Sequence, residues 1–321
     1  IGGDGLVNVG AINALGMSLK KVKVDGDLGK IDAGEAKTGK KAIKNLKANS
    51  IGFSAGPTAE STIAGSLGVL KIKNNVKGVL NVTGGLDDDA GLSATAVVAI
   101  KKVVIGGDID GRAGGERAGL LRVRGDVGKV MVKGDVMGGA DLSGIVVGGN
   151  VGKIKIGGSL RSEDADRPVT VSALGTVGVS KQKNAEALQK VQIGEDVINA
   201  QILAGFRRDG TPINADAGIG EIMVDGDWIA SSAVAGVEDT TGDGYGINDA
   251  LIGGGNADIV SKIASITIAG AVEGRAAAGD HFGITAQQIG KLTVGRDRQP
   301  LEVGGGDIIE LAPDFKMVDF E

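Results

Sequence analysis

The sequence predicts an all-β protein folded as a single-stranded parallel β-helix, a solenoid of stacked coils. Three observations lead to this prediction. A ten-residue phrase recurs along the chain, glycine supplies 58 of the 321 residues, and the aromatic side chains are only five Phe, one Trp and one Tyr. A core built almost entirely from Ile, Val, Leu and Ala suits small repeated units that each bury one face against the next.

The recurring phrase reads apolar, Gly, any residue, apolar, any, apolar, any, Gly, small polar, apolar. It occupies Val127–Val136, Val151–Leu160 and Ile219–Trp228, and a looser copy begins at Ile289. The first two copies are offset by 24 residues. A coil of about 24 residues with three short strands and three corners accounts for this spacing.

Each part of the phrase has a physical meaning. Apolar residues at alternate positions place one side of a short strand in the core and the other side in water. Glycine followed by Asp, Asn or Ser ends the strand, because glycine accepts a positive φ and the polar side chain can bond the backbone of the turn. The coil length favours a right-handed solenoid over a left-handed one built from hexapeptides. Chain length then gives roughly nine to twelve coils.

We expect the β-helix to span residues 1–310 and residues 311–321 to form a C-terminal cap or linker. Loops are expected where the period is interrupted, namely at 84–95, 111–119, 161–167, 181–190, 206–217 and 231–261. Within 181–190, residues Asn184–Lys190 are expected to form one or two helical turns. Because the chain begins with Ile1 rather than Met, we also expect it to be a processed or trimmed piece.

Charge and composition narrow the classes of function. Lys and Arg number 35 against 40 Asp and Glu, for a net charge of −5. A nucleic-acid binder needs a basic stripe with interleaved aromatic residues, and the sequence displays neither, so no nucleic-acid partner is expected. The lack of cysteine excludes disulfides, thiol catalysis and zinc–thiolate sites. No apolar run approaches the ~20 residues of a membrane-spanning helix.

The strongest local motif is the acidic segment 238–249. The predicted calcium ligands are Asp239, Thr241, Asp243, the backbone carbonyl of Tyr245, and Asp249. Oxygen-bearing side chains at alternate positions followed by Gly244 match the opening of an EF-hand-type loop, in which such oxygens converge on calcium. Two departures weaken the match, since a Thr replaces the usual Asp or Asn and the closing acid falls one position early. The alternative is an acidic surface loop that binds no metal.

Two further acidic segments have simpler interpretations. Gly253–Val260 is similar to one nonapeptide of a calcium-binding RTX roll, but that architecture needs several consecutive copies, so an ordinary turn is expected. The three adjacent carboxylates Asp87–Asp89 cannot all face one ion, and a solvated loop is expected there.

The sequence offers little support for an enzyme. His281 is the single histidine, which excludes two-histidine metal sites, and no Gly-x-Ser-x-Gly elbow accompanies it. Polysaccharide lyases and hydrolases do occur on parallel β-helices, and they use carboxylates and basic residues on one exposed face. The nearest candidates for such a cluster are Asp108, Asp110, Arg112 and Arg117. Because Gly-Asp recurs at corners along the whole chain, a turn role already explains Asp108.

The phrases of the form IGKVxVxGDV, together with Asp227–Gly236 and Ser261–Gly270, resemble the Gly/Asp-rich β-solenoid regions of large secreted bacterial surface proteins. This resemblance implies an extracellular or cell-surface location and a non-catalytic structural or adhesive role in a surface layer, fibre or adhesin. It implies self-association, neighbouring domains of a larger protein, or surface polysaccharide as partners. The acidic segment resembles the calcium loops of dockerin-like and thrombospondin-type repeats, which implies calcium as the cofactor. A polysaccharide-processing enzyme and a polymerising cytoskeletal β-helix are the alternatives.

Overall fold

The computed structural model describes residues 6–37, 39–53, 59–86, 97–112, 117–139, 142–275, 281–302 and 306–320. Within these ranges the chain forms strands and turns, and the one helical element is a 3-10 turn at Gln182–Asn184. The helical turn predicted at Asn184–Lys190 is wrong, because the 3-10 turn ends at Asn184 and the buried apolar side chains from Glu186 onward belong to a β-strand, Glu186–Ile193. No helix in the described part of the chain is long and apolar enough to cross a membrane.

The strands form three large sheets, which we call sheets I, II and III. Sheet I contains β1 (Val9–Leu15), β3 (Asp27–Gly34), β5 (Ser50–Ile51), β6 (Glu60–Ile63), β8 (Val79–Val82), β11 (Leu120–Val123), β14 (Gly144–Val147), β17 (Val169–Ala173), β20 (Ala200–Ala204), β23 (Ser232–Ala235), β28 (Phe282–Ala286), β32 (Ile308–Ala312) and β33 (Phe315–Asp319). Sheet II contains β2 (Leu19–Lys23), β4 (Lys41–Ala48), β7 (Ser66–Ile72), β9 (Val98–Ile105), β12 (Asp126–Val132), β15 (Val151–Ile156), β18 (Glu186–Ile193), β21 (Gly218–Val224), β26 (Lys262–Ile268), β29 (Gln288–Ile289), β30 (Leu292–Val294) and β31 (Asp297–Arg298). Sheet III contains β10 (Ile109–Asp110), β13 (Val136–Gly138), β16 (Leu160–Ser162), β19 (Val197–Ile198), β22 (Trp228–Ile229) and β27 (Val272–Glu273). The strands β24 (Val237–Asp239) and β25 (Asp249–Leu251) form a separate hairpin.

The chain visits the three sheets in a fixed order. From β9 onward it passes from sheet II to sheet III to sheet I and then returns to sheet II, and we call each such passage a round. Neighbouring strands in these sheets therefore come from successive rounds and run parallel. Among the described pairs of these sheets, only β31 on β30 and β32 on β33 are antiparallel, both near the C-terminal end. The prediction of an all-β protein built from parallel strands is confirmed.

The strand register shows where the repeat is regular and where it is interrupted. Leu19 pairs with Ile43 and Ile43 pairs with Leu67, so the first two steps between neighbouring strands of sheet II are 24 residues long. Val151 pairs with Leu188, a longer step that includes the predicted interruptions at 161–167 and 181–190. Twenty-four residues is thus the shortest step between parallel strands of sheet II, and loops lengthen the other steps of this sheet, whereas sheet I also has shorter steps, such as the one from Ser61 to its partner Leu80.

The core consists of inward-facing side chains that stack in columns. One column, along sheet III and its extension, contains Leu28, Ile51, Val76, Ile109, Val136, Leu160, Val197, Trp228 and Val272. All of these side chains are buried. Buried residues of all three sheets, such as Val130, Val136 and Ile145, belong to a single hydrophobic cluster. The sheets therefore share one core.

The corners between sheets II and III differ from the expectation. The sequence predicts a positive φ for the corner glycines that precede Asp or Ser. Gly134 and Gly158, between sheets II and III, do not have one, so the prediction is wrong at these corners, whereas Gly125 before Asp126 has a φ of 97°. A Cβ on Gly134 would instead overlap the carboxylate of Asp108 from the preceding round. Asp108 Oδ1 accepts a hydrogen bond from the Asp135 amide at 2.9 Å, and Asp135 Oδ1 accepts one from the Ser159 amide at 3.0 Å. The corner aspartates thus connect successive rounds rather than closing their own turns.

The predicted loop and domain boundaries fall as follows. In the segment 84–95 only residues 84–86 are described, and in 111–119 residues 113–116 lie outside the described ranges. The first part of 231–261 is β23, a buried strand of sheet I, so the excursion from the sheets begins at Gly236. At the C-terminus the boundary drawn at residue 310 lies inside β32. The last strand, β33, pairs in parallel with β28 and contributes the fully buried Phe315 to the core.

Candidate functional sites

The acidic segment forms the loop of the β24–β25 hairpin and lies against the outer side of sheet I. Tyr245, near the middle of this loop, is buried and packs in a small cluster with Leu203, Phe206 and Val234. These last three residues are themselves buried, two of them on sheet I strands. The tyrosine ring therefore anchors the loop to the body of the protein.

Asp239 organises the backbone of this loop. Its Oδ1 accepts hydrogen bonds from the amides of Thr241 at 3.0 Å and Gly242 at 2.7 Å. Its Oδ2 accepts a hydrogen bond from the Gly244 amide at 2.9 Å. The Thr241 hydroxyl also makes a short hydrogen bond with the Asp243 carboxylate. Both oxygens of Asp239 therefore already have protein partners.

Asp249 lies directly opposite Asp239 in the hairpin. Its Oδ2 accepts a hydrogen bond from the Gly246 amide at 2.6 Å, whereas its Oδ1 is buried and has no hydrogen-bond partner. Burial raises the pKa of Asp249 to about 7, and the negative charges of Asp239 and Asp243 add to this shift despite the opposing amide bond. The carboxyl group is thus poised between its neutral and charged forms near neutral pH.

These side chains fit a calcium site only in part. Among the described residues, no group of three or more His, Asp or Glu side chains is arranged to hold a metal ion. The three carboxylates of the loop lie close enough to repel one another, and Asp249 Oδ1 is a buried oxygen without a donor. The structure therefore brings together the predicted acidic ligands without assembling them into a complete cage, and calcium binding stays a prediction.

His281 is a neighbour of this loop that the sequence did not indicate. Its Nε2 lies 3.9 Å from Asp243 Oδ2, and its backbone amide donates to the Asp243 carbonyl oxygen at 2.9 Å. Gly244 and His281 also form a parallel β-bridge. Because 36 residues separate the bridged pair in the chain, no local motif connects them.

Three of the residues considered for polysaccharide catalysis, Asp108, Asp110 and Arg112, have structural partners. Asp108 bonds the next round at the corner, as described above. Asp110 pairs with the Arg112 guanidinium at 3.0 Å and with the Lys77 ammonium at 3.8 Å. Burial alone would raise the pKa of Asp110, but hydrogen bonds from Arg112 and its charge hold the pKa below the ordinary value. A glycosidase general acid needs the opposite shift.

The two other acidic segments do not add a site. Asp87–Asp89 lies outside the described residues. In Gly253–Val260, the Asn256 amide donates to Asp216 Oδ1 at 2.7 Å and Asn256 Oδ1 accepts from the Asp258 amide at 3.0 Å. These bonds hold a turn against the 206–217 loop, as the simpler interpretation expects.

No protein-family model matches the chain, and neither curated proteins nor solved structures show a significant similarity to it. Its function is therefore inferred from its own residues and their geometry.

The outer side of sheet II carries a charged surface that is dispersed in the sequence. Lys102 pairs with Lys129, and Lys129 pairs with Lys153 in the next round. A second column begins with Lys23, which pairs with Lys47. We call the outward side of β2, β4, β7, β9, β12, β15 and β18 the lysine face. The expectation that the protein has no basic stripe is therefore wrong, because parallel stacking aligns lysines that are tens of residues apart.

Proposed function

We propose that this chain is a non-catalytic structural and adhesive module of a bacterial extracellular or cell-surface protein, folded as a single right-handed parallel β-helix. The observation that carries the proposal is that the same contacts recur from round to round, both in the column of buried side chains and in the hydrogen bonds at the corners. It includes the buried sheet III column and the bonds from Asp108 to Asp135 and from Asp135 to Ser159. These repeated contacts hold each round to the next along one axis, as expected of a structural scaffold.

A closed solenoid is supported by the common core and the order of the strands. Sheets I, II and III all contribute to one hydrophobic cluster, so their inward faces meet. Sheet II supplies ten successive parallel strands before the antiparallel β31, which corresponds to ten coils. The right hand follows from the strong preference of parallel strand–crossover–strand connections for that hand.

The non-catalytic role is supported by the tasks of the carboxylates. Corner aspartates such as Asp135, Asp196 and Asp227 accept amide hydrogen bonds from the following round. Asp110 is neutralised by Arg112 and Lys77. The oxygens of these carboxyl groups are thus engaged by protein partners, whereas an acid–base catalyst needs a carboxyl group that can reach the substrate.

We further propose that Ca²⁺ stabilises the hairpin loop. The support is the buried, donor-free Oδ1 of Asp249 beside Asp239 and Asp243, whose charges oppose its ionisation. A divalent cation supplies the compensating charge that such a group of carboxylates lacks. The ligands would be Asp243, Asp249 and the other oxygens of the 238–249 loop.

Solution scattering and circular dichroism test the solenoid. Ten coils at ~4.8 Å each give a body about 50 Å long with a spectrum dominated by strand. A helical spectrum or a spherical scattering profile would contradict the fold. Incubation with polygalacturonate should release no new reducing ends, and release that depends on Asp110 would favour the enzyme instead. Ordered filaments in electron micrographs would favour the cytoskeletal alternative.

A further inference from the structure

The lysine face has an unusual composition for a sheet surface. Its seven strands contain thirteen Lys, no Arg, no aromatic residue and only two acidic residues, Asp126 and Glu186. The protein as a whole has a net charge of −5. Positive charge is therefore concentrated on one side of a molecule that is acidic overall.

The lysines face one another directly across strands. In one column the register runs from Lys102 to Lys129 to Lys153, and Lys190 follows in the next round before Glu221 ends the series. Among the described residues, Lys190 pairs with Glu221, whereas the first three have no carboxylate within ion-pair distance. Desolvation lowers the pKa of Lys153, and the charges of Lys190, Lys129 and Lys155 lower it further.

Like charges directly opposite each other destabilise a sheet, while opposite charges stabilise it. Solubility alone would be served as well by alternating Lys and Glu, as the chain does at Lys190 and Glu221. A second column has Lys23, Lys47 and Lys71 in register. Lys23 at its end is paired with Asp25 at 2.7 Å, so in this column the unfavourable arrangement concerns Lys47 and Lys71. Because this repulsion between lysines recurs along the face, we infer that the uniform positive charge serves to bind a ligand.

The chemistry of the face identifies the class of ligand. Its strands, which carry the lysines, repeat every ~4.8 Å over about 30 Å. This spacing suits a linear chain that carries anionic groups at short, regular intervals. Single-stranded nucleic acids need aromatic platforms for their bases, and this face has none. Phosphate recognition favours Arg, which is missing from these strands, and a flat sheet cannot enter a duplex groove.

We propose that the lysine face binds an acidic polysaccharide, a linear polyuronate or sulfated glycan whose chain runs along the solenoid axis across successive strands. The proposal deepens the adhesive role and rests on the proposed function, because such a glycan is a ligand that a surface module meets. The lysine columns would bind the glycan through many weak, exposed ionic contacts. Binding therefore depends on ionic strength and on the regular spacing of the charges.

The test compares two charge-reversal variants of the intact chain with the same change in net charge. K102E/K153E makes the charges along the column alternate, and K181E/K183E reverses two exposed lysines of the 181–190 loop. Binding of polygalacturonate is measured in chelator at low salt, with neutral dextran and a thymidine oligonucleotide as comparison ligands. We expect the affinity to fall at least tenfold in K102E/K153E and less than twofold in K181E/K183E. We expect K102E/K153E to melt no lower than the wild-type protein, since its cross-strand pairs become favourable.

Three results would overturn the proposal. They are no binding of polygalacturonate by the wild-type protein, an equal loss in both variants, or tighter binding of the oligonucleotide than of polygalacturonate. Circular dichroism and scattering of the same samples report on the solenoid independently. A folded, elongated protein that does not bind would therefore refute the ligand and leave the scaffold intact, whereas a misfolded one would refute the proposed function.

Discussion

At the scale of single residues, the Gly-Asp corner is a pair of residues that acts between rounds. The glycine leaves room for the carboxylate of the preceding round, and its own aspartate bonds the following one. At Gly134 the space is filled by the carboxylate of Asp108, which accepts the Asp135 amide. The small residue and the acid are therefore coupled across 26 residues of sequence.

This coupling predicts a non-additive pair of substitutions. Gly134→Ala should lower the free energy of unfolding by about 1–3 kcal/mol, because its Cβ overlaps the Asp108 carboxylate. Asp108→Ala should lower it by about 1–3 kcal/mol, since the Asp135 amide loses its acceptor. Together they should cost less than the sum, because the smaller side chain makes room for the Cβ. Urea unfolding followed by circular dichroism measures all three.

Gly253→Ala is the control for this cycle, because nothing lies within 4 Å of its Cβ position and its φ is not positive. It should change stability by less than about 0.5 kcal/mol. Strict additivity of the two corner substitutions would refute the steric role of the glycine.

The carboxyl of Asp249 predicts a particular pH dependence. Its pKa is about 7 in the native protein against an ordinary 3.8, so the native state holds a proton that the unfolded state has released. In chelator, this group should therefore make stability fall as pH rises from about 4 to about 7 and contribute no further slope above that range. Asp249→Asn should remove this component of the slope, which melting temperatures across the range would reveal. Identical slopes in the two proteins would show that the carboxyl is not perturbed.

The same carboxyl connects calcium to pH. If Ca²⁺ binds the ionised loop, calcium should raise the melting temperature more at pH 8 than at pH 5.5, because binding must displace the proton of Asp249. A site with a Kd on the order of 10⁻⁴ M would add roughly 1.4 kcal/mol at tenfold excess of calcium. Asp243→Ala should abolish this gain and leave the melting temperature in chelator nearly unchanged. Equal melting with calcium and with chelator would show that the loop binds no calcium.

At the scale of elements, sheet III is the narrowest of the three sheets, and its stability depends on the column of inward side chains. Trp228 on β22 is fully buried, pairs in register with Val197 and Val272, and donates from Nε1 to the Ser231 carbonyl at 2.8 Å. It fills with one large side chain a place that Val or Leu occupies in most other rounds. The bond at its ring explains how a polar atom is accommodated in that column.

Trp228→Ala should therefore lower the free energy of unfolding by about 3–5 kcal/mol, through a cavity in the core and an unpaired carbonyl. Chemical unfolding followed by circular dichroism provides the measurement. Phe53→Ala is the matched aromatic control, because Phe53 is 45 % exposed and contacts the Lys77 ammonium. It should cost less than about 1 kcal/mol. A small effect at Trp228 would mean that sheet III contributes little to the core.

At the scale of the whole molecule, each round is stabilised mainly by its two neighbours, so the ends need protection. At the C-terminal end the direction changes, since β32 runs antiparallel to β33 and β31 antiparallel to β30. Phe315 and Met317 on β33 are fully buried against the core. Removing residues 306–321 should expose the edge of β28 and the core beneath it.

We therefore expect the shortened chain to associate with a concentration dependence that the full chain lacks, because an uncovered strand edge pairs with other chains. Sedimentation velocity over a range of concentrations tests this expectation. A shortened protein that stays monomeric, with an unchanged melting temperature, would show that β32 and β33 do not protect the end.

Several features of this protein follow from its sequence alone. Alternating apolar residues and Gly-Asp corners specify a chain of short strands, since side-chain alternation and chain reversal are local properties. The 24-residue offset of the phrase is the shortest step between paired parallel strands of sheet II, because two regular copies contain no inserted loop. The acidic loop also follows from its residues, although the position of His281 beside it does not.

Tertiary structure alone decided which side chains meet between rounds. Asp108 reaches the Asp135 amide, and Lys102 faces Lys129, only because strands of successive rounds stack in one register. The number of residues between paired positions of neighbouring strands varies because the loops vary. It is 24 from Leu19 to Ile43 and larger from Ile219 to Ile263. Spacing in the sequence therefore does not identify the partners. Stacking at ~4.8 Å converts dispersed residues into continuous columns, and the lysine face arises from that conversion.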